Sequence, residues 1–142
     1  MTTIRRFEDL HIWQAARELV QIVYRHTTQG GFERDFALRD QIRRAVISIM
    51  SNIAEGFSAG SDAEFIRFLG CARRSLSETH SQLYIALDLS YITKDDFDIT
   101  YQKANTAEKQ INAFITYFTK SKSPKTLKEE SPSYDLSGQS DY

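Results

Sequence analysis

The sequence holds a single cysteine, Cys71, which excludes an intramolecular disulfide and any cysteine-based metal cluster. One thiol between Gly70 and Ala72 reads as a small packed side chain, in keeping with a reducing compartment. Proline is nearly absent, with two copies, both beyond residue 120. Glycine is sparse: four of the six fall at Gly30, Gly31, Gly56 and Gly60, where a helical protein would place its loops. No apolar run approaches the ~18 residues of a membrane span, and the opening MTTIRRFEDL has no signal-peptide core, so a cytoplasmic location without a membrane partner is expected. Charge of one sign is missing too. The net charge of −1 offers no global attraction for polyanions, although all eleven arginines lie between residues 5 and 74 and all seven lysines between 94 and 128.

What is present is helical periodicity. The first segment, from an Asp9 N-cap to about Thr27, carries Trp13, Ala16, Val20, Val23 and Tyr24 at three-four spacing, with Leu10, Ile12 and Leu19 widening the stripe. Gly30-Gly31 then predicts a tight reversal. The second segment, about 33–57, repeats the pattern through Leu38, Ile42, Ala45, Ile49, Ile53 and Phe57. A breaker cluster, Gly56 to Ser61, closes it. Ser61-Asp62-Ala63-Glu64 has the form of a capping box, and from Phe65 to Ser90 apolar and small residues recur in a heptad-like seam. Thr93-Lys94-Asp95-Asp96 opens the fourth segment with acids in its first turn, followed by Phe97, Tyr101, Ala104, Ile111, Phe114, Ile115 and Phe118. The spacing predicts an all-α, antiparallel up-down-up-down four-helix bundle over residues 1–121. Residues 122–142 hold both prolines and only two aliphatic side chains, and predict a flexible polar tail that could serve as a binding segment.

Chemistry is harder to find. Glu8-x-x-His11 matches half of a bundle metal motif but spans the helix cap and has no second copy; His26 and His80 follow no carboxylate at that spacing, and all three histidines are expected near loops or solvent. The Gly56–Gly60 stretch lacks the strand and the Lys-Ser/Thr of a phosphate loop. No metal, cofactor or small-molecule substrate is implied. Polar residues do interrupt the apolar run AVISIMSNIAEGF, and Ser48, Asn52 and Glu55 on the second helix with Ser75 and Glu78 on the third predict a buried interhelical polar seam. The competing reading makes Asn52, Glu55 and Glu78 an acid–base site, but no convergent His, Lys or metal motif accompanies the carboxylates. Arg39, Arg43, Arg44, Arg67, Arg73 and Arg74 are the candidate nucleic-acid contacts, with Asp40, Glu64 and Glu78 near enough in sequence to neutralise several of them.

Three stretches carry a family resemblance: Phe7-Glu-Asp-Leu-His-Ile-Trp-Gln-Ala-Ala16; Leu38-Arg-Asp-Gln-Ile-Arg-Arg-Ala-Val46 leading into Ser51-Asn-Ile-Ala-Glu-Gly56; and Glu64-Phe-Ile-Arg-Phe-Leu69 with Ala72-Arg-Arg-Ser-Leu-Ser-Glu78. Over residues 7–120 the chain resembles the four-helix-bundle proteins encoded in intervening sequences of bacterial 23S rRNA genes. Met50 stands where that family usually has proline, and Arg74 where it usually has glycine. The resemblance implies an up-down bundle that assembles as a homo-oligomer, a pentamer in the best described members, and it brings no established activity with it. A related branch, the accessory proteins of diversity-generating retroelements, forms a basic pentameric barrel that binds nucleic acid. The expectation is therefore a non-enzymatic, self-associating bundle acting as an RNA-interacting accessory protein, with a protein–protein adaptor as the alternative. Surplus aromatics at Tyr101, Tyr117 and Phe118 support self-association, since one small bundle has little room to hide them.

Overall fold

A computed structural model describes residues 4–120, so the expectation for residues 122–142 lies outside the described residues. A 3-10 turn at Phe7–Asp9 precedes helices α1 (His11–His26), α2 (Gly30–Arg34), α3 (Phe36–Ser58), α4 (Asp62–Asp88) and α5 (Lys94–Lys120). The four long helices form the bundle. Residue pairs across it run in opposite directions: Phe57 meets Phe65 and Ser48 meets Ser75 between α3 and α4, while Phe65 meets Phe118 and Tyr84 meets Phe97 between α4 and α5. Around the bundle the order is α1, α3, α4, α5, with α5 returning to α1.

The core is a single apolar cluster. Leu10, Ile12 and Leu19 enter it from the first helical segment, Ile42, Ile49 and Ile53 from α3, Leu69, Leu76 and Leu83 from α4, and Ile111 and Phe114 from α5. On α3, α4 and α5 the buried stripes are largely those the spacing predicts. On α1 the stripe is rotated. Ala16 and Val23 are buried as expected, but Ile12, Leu19 and Ile22 face the core while Trp13, Val20 and Tyr24 sit on its rim. Apolar residues cover more than half of that helix's circumference, so periodicity alone leaves its rotation open.

Helix ends show which local signals were sufficient. Asp9 does not cap α1. The cap residue is Leu10, whose carbonyl accepts from the amides of Trp13 and Gln14. Asp9 instead pairs with Arg6, at 3.7 Å, in the turn before it. Ser61 does cap α4, its Oγ accepting from the Glu64 amide at 3.2 Å, but the Glu64 carboxylate turns away to Arg67 and leaves the capping box half made. Thr93 caps α5 through the Asp96 amide, as its sequence suggests.

Both turns at the far end of the bundle depart from the simple reversals expected. Gly30 adopts φ +53° and starts α2, a one-turn helix that buries Phe32. The true cap of α3 is Asp35, whose Oδ1 accepts from the Leu38 amide and whose Oδ2 accepts from the Tyr91 hydroxyl. Tyr91 in turn stacks on Phe32 at 5.3 Å. It is delivered there because α4 ends in a Schellman turn: the Ser90 amide donates to the Leu87 carbonyl and the Tyr91 amide to that of Ala86. Ser90 occupies the left-handed position at φ 61°, a conformation normally left to glycine.

Candidate polar seam and arginine surface

Part of the expected seam is present. The Ser75 hydroxyl donates to Ser48 Oγ across the α3–α4 interface at 2.9 Å. Asn52 Nδ2 donates to Ser48 Oγ and to the Ser48 carbonyl, at 3.0 and 2.8 Å. Behind them Thr79, fully buried, donates to the Ser75 carbonyl at 2.9 Å. These contacts fix the level of α3 against α4 with small neutral groups, which cost far less to desolvate than carboxylates. Glu55 and Glu78 are exposed and stand outside the seam, a correction to the sequence reading. Each lies on the α3 or α4 surface beyond the interface, where water solvates its charge. Asn52 is turned inward to Ser48, so the three residues of the acid–base reading do not converge.

The arginines are dispersed. Arg43 is a structural clip: its Nε donates to Thr27 Oγ1 at 2.8 Å, and its guanidinium lies 4.3 Å from the centre of the Tyr24 ring. That places a cation at the C-terminal end of α1, where the helix dipole favours one. Arg39 pairs with Asp40 and donates to the Glu33 carbonyl. Arg67 pairs with Glu64 over the Phe68 ring. Arg73 donates to Asn112 on α5, and Arg74 reaches Cys71 Sγ at 3.1 Å. Arg44 is exposed on α3. The six candidate contacts therefore divide into arginines held in local contacts and arginines left facing solvent. Three are engaged at helix ends or with carboxylates, while Arg44 on α3 and Arg73 and Arg74 on α4 are exposed and meet no carboxylate among the described contacts.

Two histidines are more enclosed than expected. His26 Nε2 lies 3.1 Å from Thr100 Oγ1, joining α1 to α5. Burial lowers its pKa below the ordinary 6.5; Asp96 opposes the shift and Arg25 adds to it. His80 stacks against Tyr101 at 4.3 Å, with Glu108 3.9 Å from its Nδ1, and burial again lowers its pKa against the opposing influence of Glu108 and Asn105. Its Nε2 is buried without a hydrogen-bond partner. The His26–Thr100 contact spans 74 positions, so no local spacing could have announced it.

The pH dependence follows from the sign of these shifts. Below about 6.5 the unfolded chain takes up protons on both imidazoles before the folded chain does, so stability falls on acidification and is flat above that value. Stability read from urea unfolding should drop between pH 6.5 and 5, by no more than about 1.4 kcal/mol per pH unit for each histidine. His80→Gln should flatten that dependence. An unchanged slope in the variant would remove His80 from the account.

Among the described residues no group of three or more His, Cys, Asp or Glu side chains could hold a metal ion, and no helix is long and apolar enough to cross a membrane. An open depression of about 580 Å³ lies between α1 and α5, lined by residues including Gln14, Arg17, Glu18 and Gln21. It is on the opposite side of the bundle from Asn52.

The architecture is that of a small helical-bundle protein whose polar contacts serve register and helix ends. Residues 8–113 match the 23S rRNA-intervening sequence protein family, and the chain belongs to it. It is similar to the crystal structure of a protein of unknown function from the S23 ribosomal protein family of Bacteroides thetaiotaomicron. The two are 27% identical, the match covers 73% of this chain and 97% of that one, and the TM-score is 0.67. No curated protein matches the chain.

Proposed function

We propose that this protein acts without chemistry of its own, as a self-associating helical bundle whose assembled surface contacts RNA. The observation that carries self-association is the apolar surface left in solvent. Phe36, Ile47, Tyr84, Ile85, Leu89 and Ile99 are all exposed, a sizeable apolar area for a bundle of this size. They are not the aromatics singled out from the sequence: Phe118 is buried, and Tyr101 and Tyr117 are partly so. The non-enzymatic reading is supported by Glu55 and Glu78 standing apart in solvent while Asn52 is committed to Ser48. Sedimentation at micromolar concentration tests association. A mass above one chain, five copies by the family resemblance, is the expected result, and a strictly monomeric mass would sink it.

RNA is the partner favoured by Arg44, Arg73 and Arg74, because Arg73 and Arg74 meet only neutral groups and so keep their full charge. Guanidinium groups in that state are suited to phosphate oxygens. Affinity for a structured RNA should fall steeply as salt rises, and Arg44→Ala with Arg74→Ala should reduce the log–log slope by about 2. If no binding occurs at low salt, the RNA partner is withdrawn and the protein–protein adaptor takes its place.

A further inference from the structure

Among the described residues four arginines stand over an aromatic ring, and three of these pairs lie on α1 and α3. The Arg17 guanidinium is 5.7 Å from the centre of Trp13, Arg43 is 4.3 Å from Tyr24, and Arg39 is 4.8 Å from Phe36. All three are within cation–π range. The fourth pair, Arg67 over Phe68, lies on α4 and is neutralised by Glu64.

The three pairs share one side of the bundle. Trp13 and Tyr24 are eleven residues apart on α1, which is three turns and roughly 16 Å, so both project from the same side of that helix. It is the side towards α3. Arg43 of α3 reaches Tyr24 and Thr27, and Phe7, from the turn that packs against α3, meets Trp13 at 5.2 Å. Arg39 lies one turn before Arg43 and brings Phe36 into the row. Phe36 is 64% exposed, the most of any large apolar side chain described, while Trp13 and Tyr24 are partly buried. The face is also basic. Residues 13–47, from Trp13 to the middle of α3, hold six arginines against four acids, a net +2 in a chain whose net charge is −1. Arg39 shares Asp40, whereas Arg17 and Arg43 meet no carboxylate among the described contacts.

Resting on the RNA partner proposed above, we infer that the α1–α3 face binds unpaired RNA, its bases stacking on Phe36, Tyr24 and Trp13 and its phosphates meeting the arginines beside those rings. A ring accepts any base by its π-face, and a guanidinium held against the ring puts positive charge where the adjoining phosphate must lie. Arg43 is preset for this role, because its Nε donates to Thr27 Oγ1 at 2.8 Å and fixes the group over Tyr24. A duplex offers its phosphates but keeps its bases stacked on one another, so it gains the charge contacts without the ring contacts. The ligand class is therefore a single strand or an unpaired loop, selected for being unpaired and not for its base sequence.

The test uses the full chain with an unstructured oligouridylate and a blunt RNA duplex of matched length, at low salt. Binding is read by polarisation of the labelled RNA and by emission from Trp13, the single tryptophan of the chain. Wild type is expected to prefer the oligouridylate, with Trp13 emission quenched on binding. Phe36→Ala, at an exposed site where folding is not at stake, should weaken that binding by about 5-fold or more. The salt slope should stay unchanged, since the ring carries no charge. Phe36→Tyr keeps a stacking surface and should bind as wild type does; circular dichroism checks that both variants are folded. A wild type that binds no RNA at all, structured RNA included, overturns the RNA partner and this face together. A wild type that binds RNA but favours the duplex, keeps its Trp13 emission unchanged, or loses nothing in folded Phe36→Ala overturns only the stacking face.

Discussion

Phe65→Ala is expected to destabilise the bundle by about 3–5 kcal/mol, the cost of emptying a fully packed aromatic site. Phe65 is 1% exposed and its ring is the hub of one end of the core. Phe57, Phe114 and Phe118 surround it at centroid distances of 6.4, 5.9 and 5.6 Å, all in edge-on arrangements that suit the ring quadrupole. Those partners come from α3 and α5, so the cavity would open where three helices meet and none can close it alone. On a small domain the loss corresponds to a melting-temperature drop on the order of 15 °C. Urea unfolding at fixed protein concentration is the measurement, because association adds to apparent stability. A loss below about 1 kcal/mol would show that the surrounding rings collapse into the space, contrary to the packing described.

Gly56→Ala should destabilise as well, by about 1–3 kcal/mol, and here the sign is the test. Gly56 lies within α3, where helix propensity by itself predicts a gain of about 1 kcal/mol on replacing glycine by alanine. A Cβ at Gly56 would lie 2.7 Å from Phe68 Cβ and 2.9 Å from Phe65 Cδ1. The first of these atoms is fixed to the α4 backbone, so relief requires the two helices to move apart. Gly70 is the control. It is also helical, and nothing lies within 4 Å of the Cβ it lacks. Gly70→Ala should therefore stabilise by about 0.5–1 kcal/mol. If both substitutions stabilise, the close α3–α4 approach at Gly56 is wrong.

Gly56 also illustrates why only part of the architecture was legible beforehand. As a residue type it predicted a breaker at the end of the second helix, yet α3 continues past it to Ser58. Its missing side chain serves the approach of a neighbouring helix, which is a property of the pair and not of the local chain. The same distinction separates Ser48 from Glu55. Both interrupt an apolar run and both were candidates for the seam, but Ser48 meets Ser75 while Glu55 remains in water. Desolvating a carboxylate without a cationic partner is too costly, whereas two hydroxyls satisfy one another. Arg43 was visible as a cation and invisible as a clip, because its partner Thr27 sits 16 positions away at the end of another helix.

The alternation of apolar stripes and caps at Ser61 and Thr93 was enough to determine four long helices and most of their buried faces. Those features depend on the 3.6-residue repeat and on backbone amides within one turn, both of which are local. Tertiary structure decided the rotation of α1, the short helix bearing Phe32 and the dispersal of the arginines. Each of these depends on which helix lies alongside which, and at what level, so it emerges only when side chains distant in sequence compete for the same space and the same hydrogen bonds.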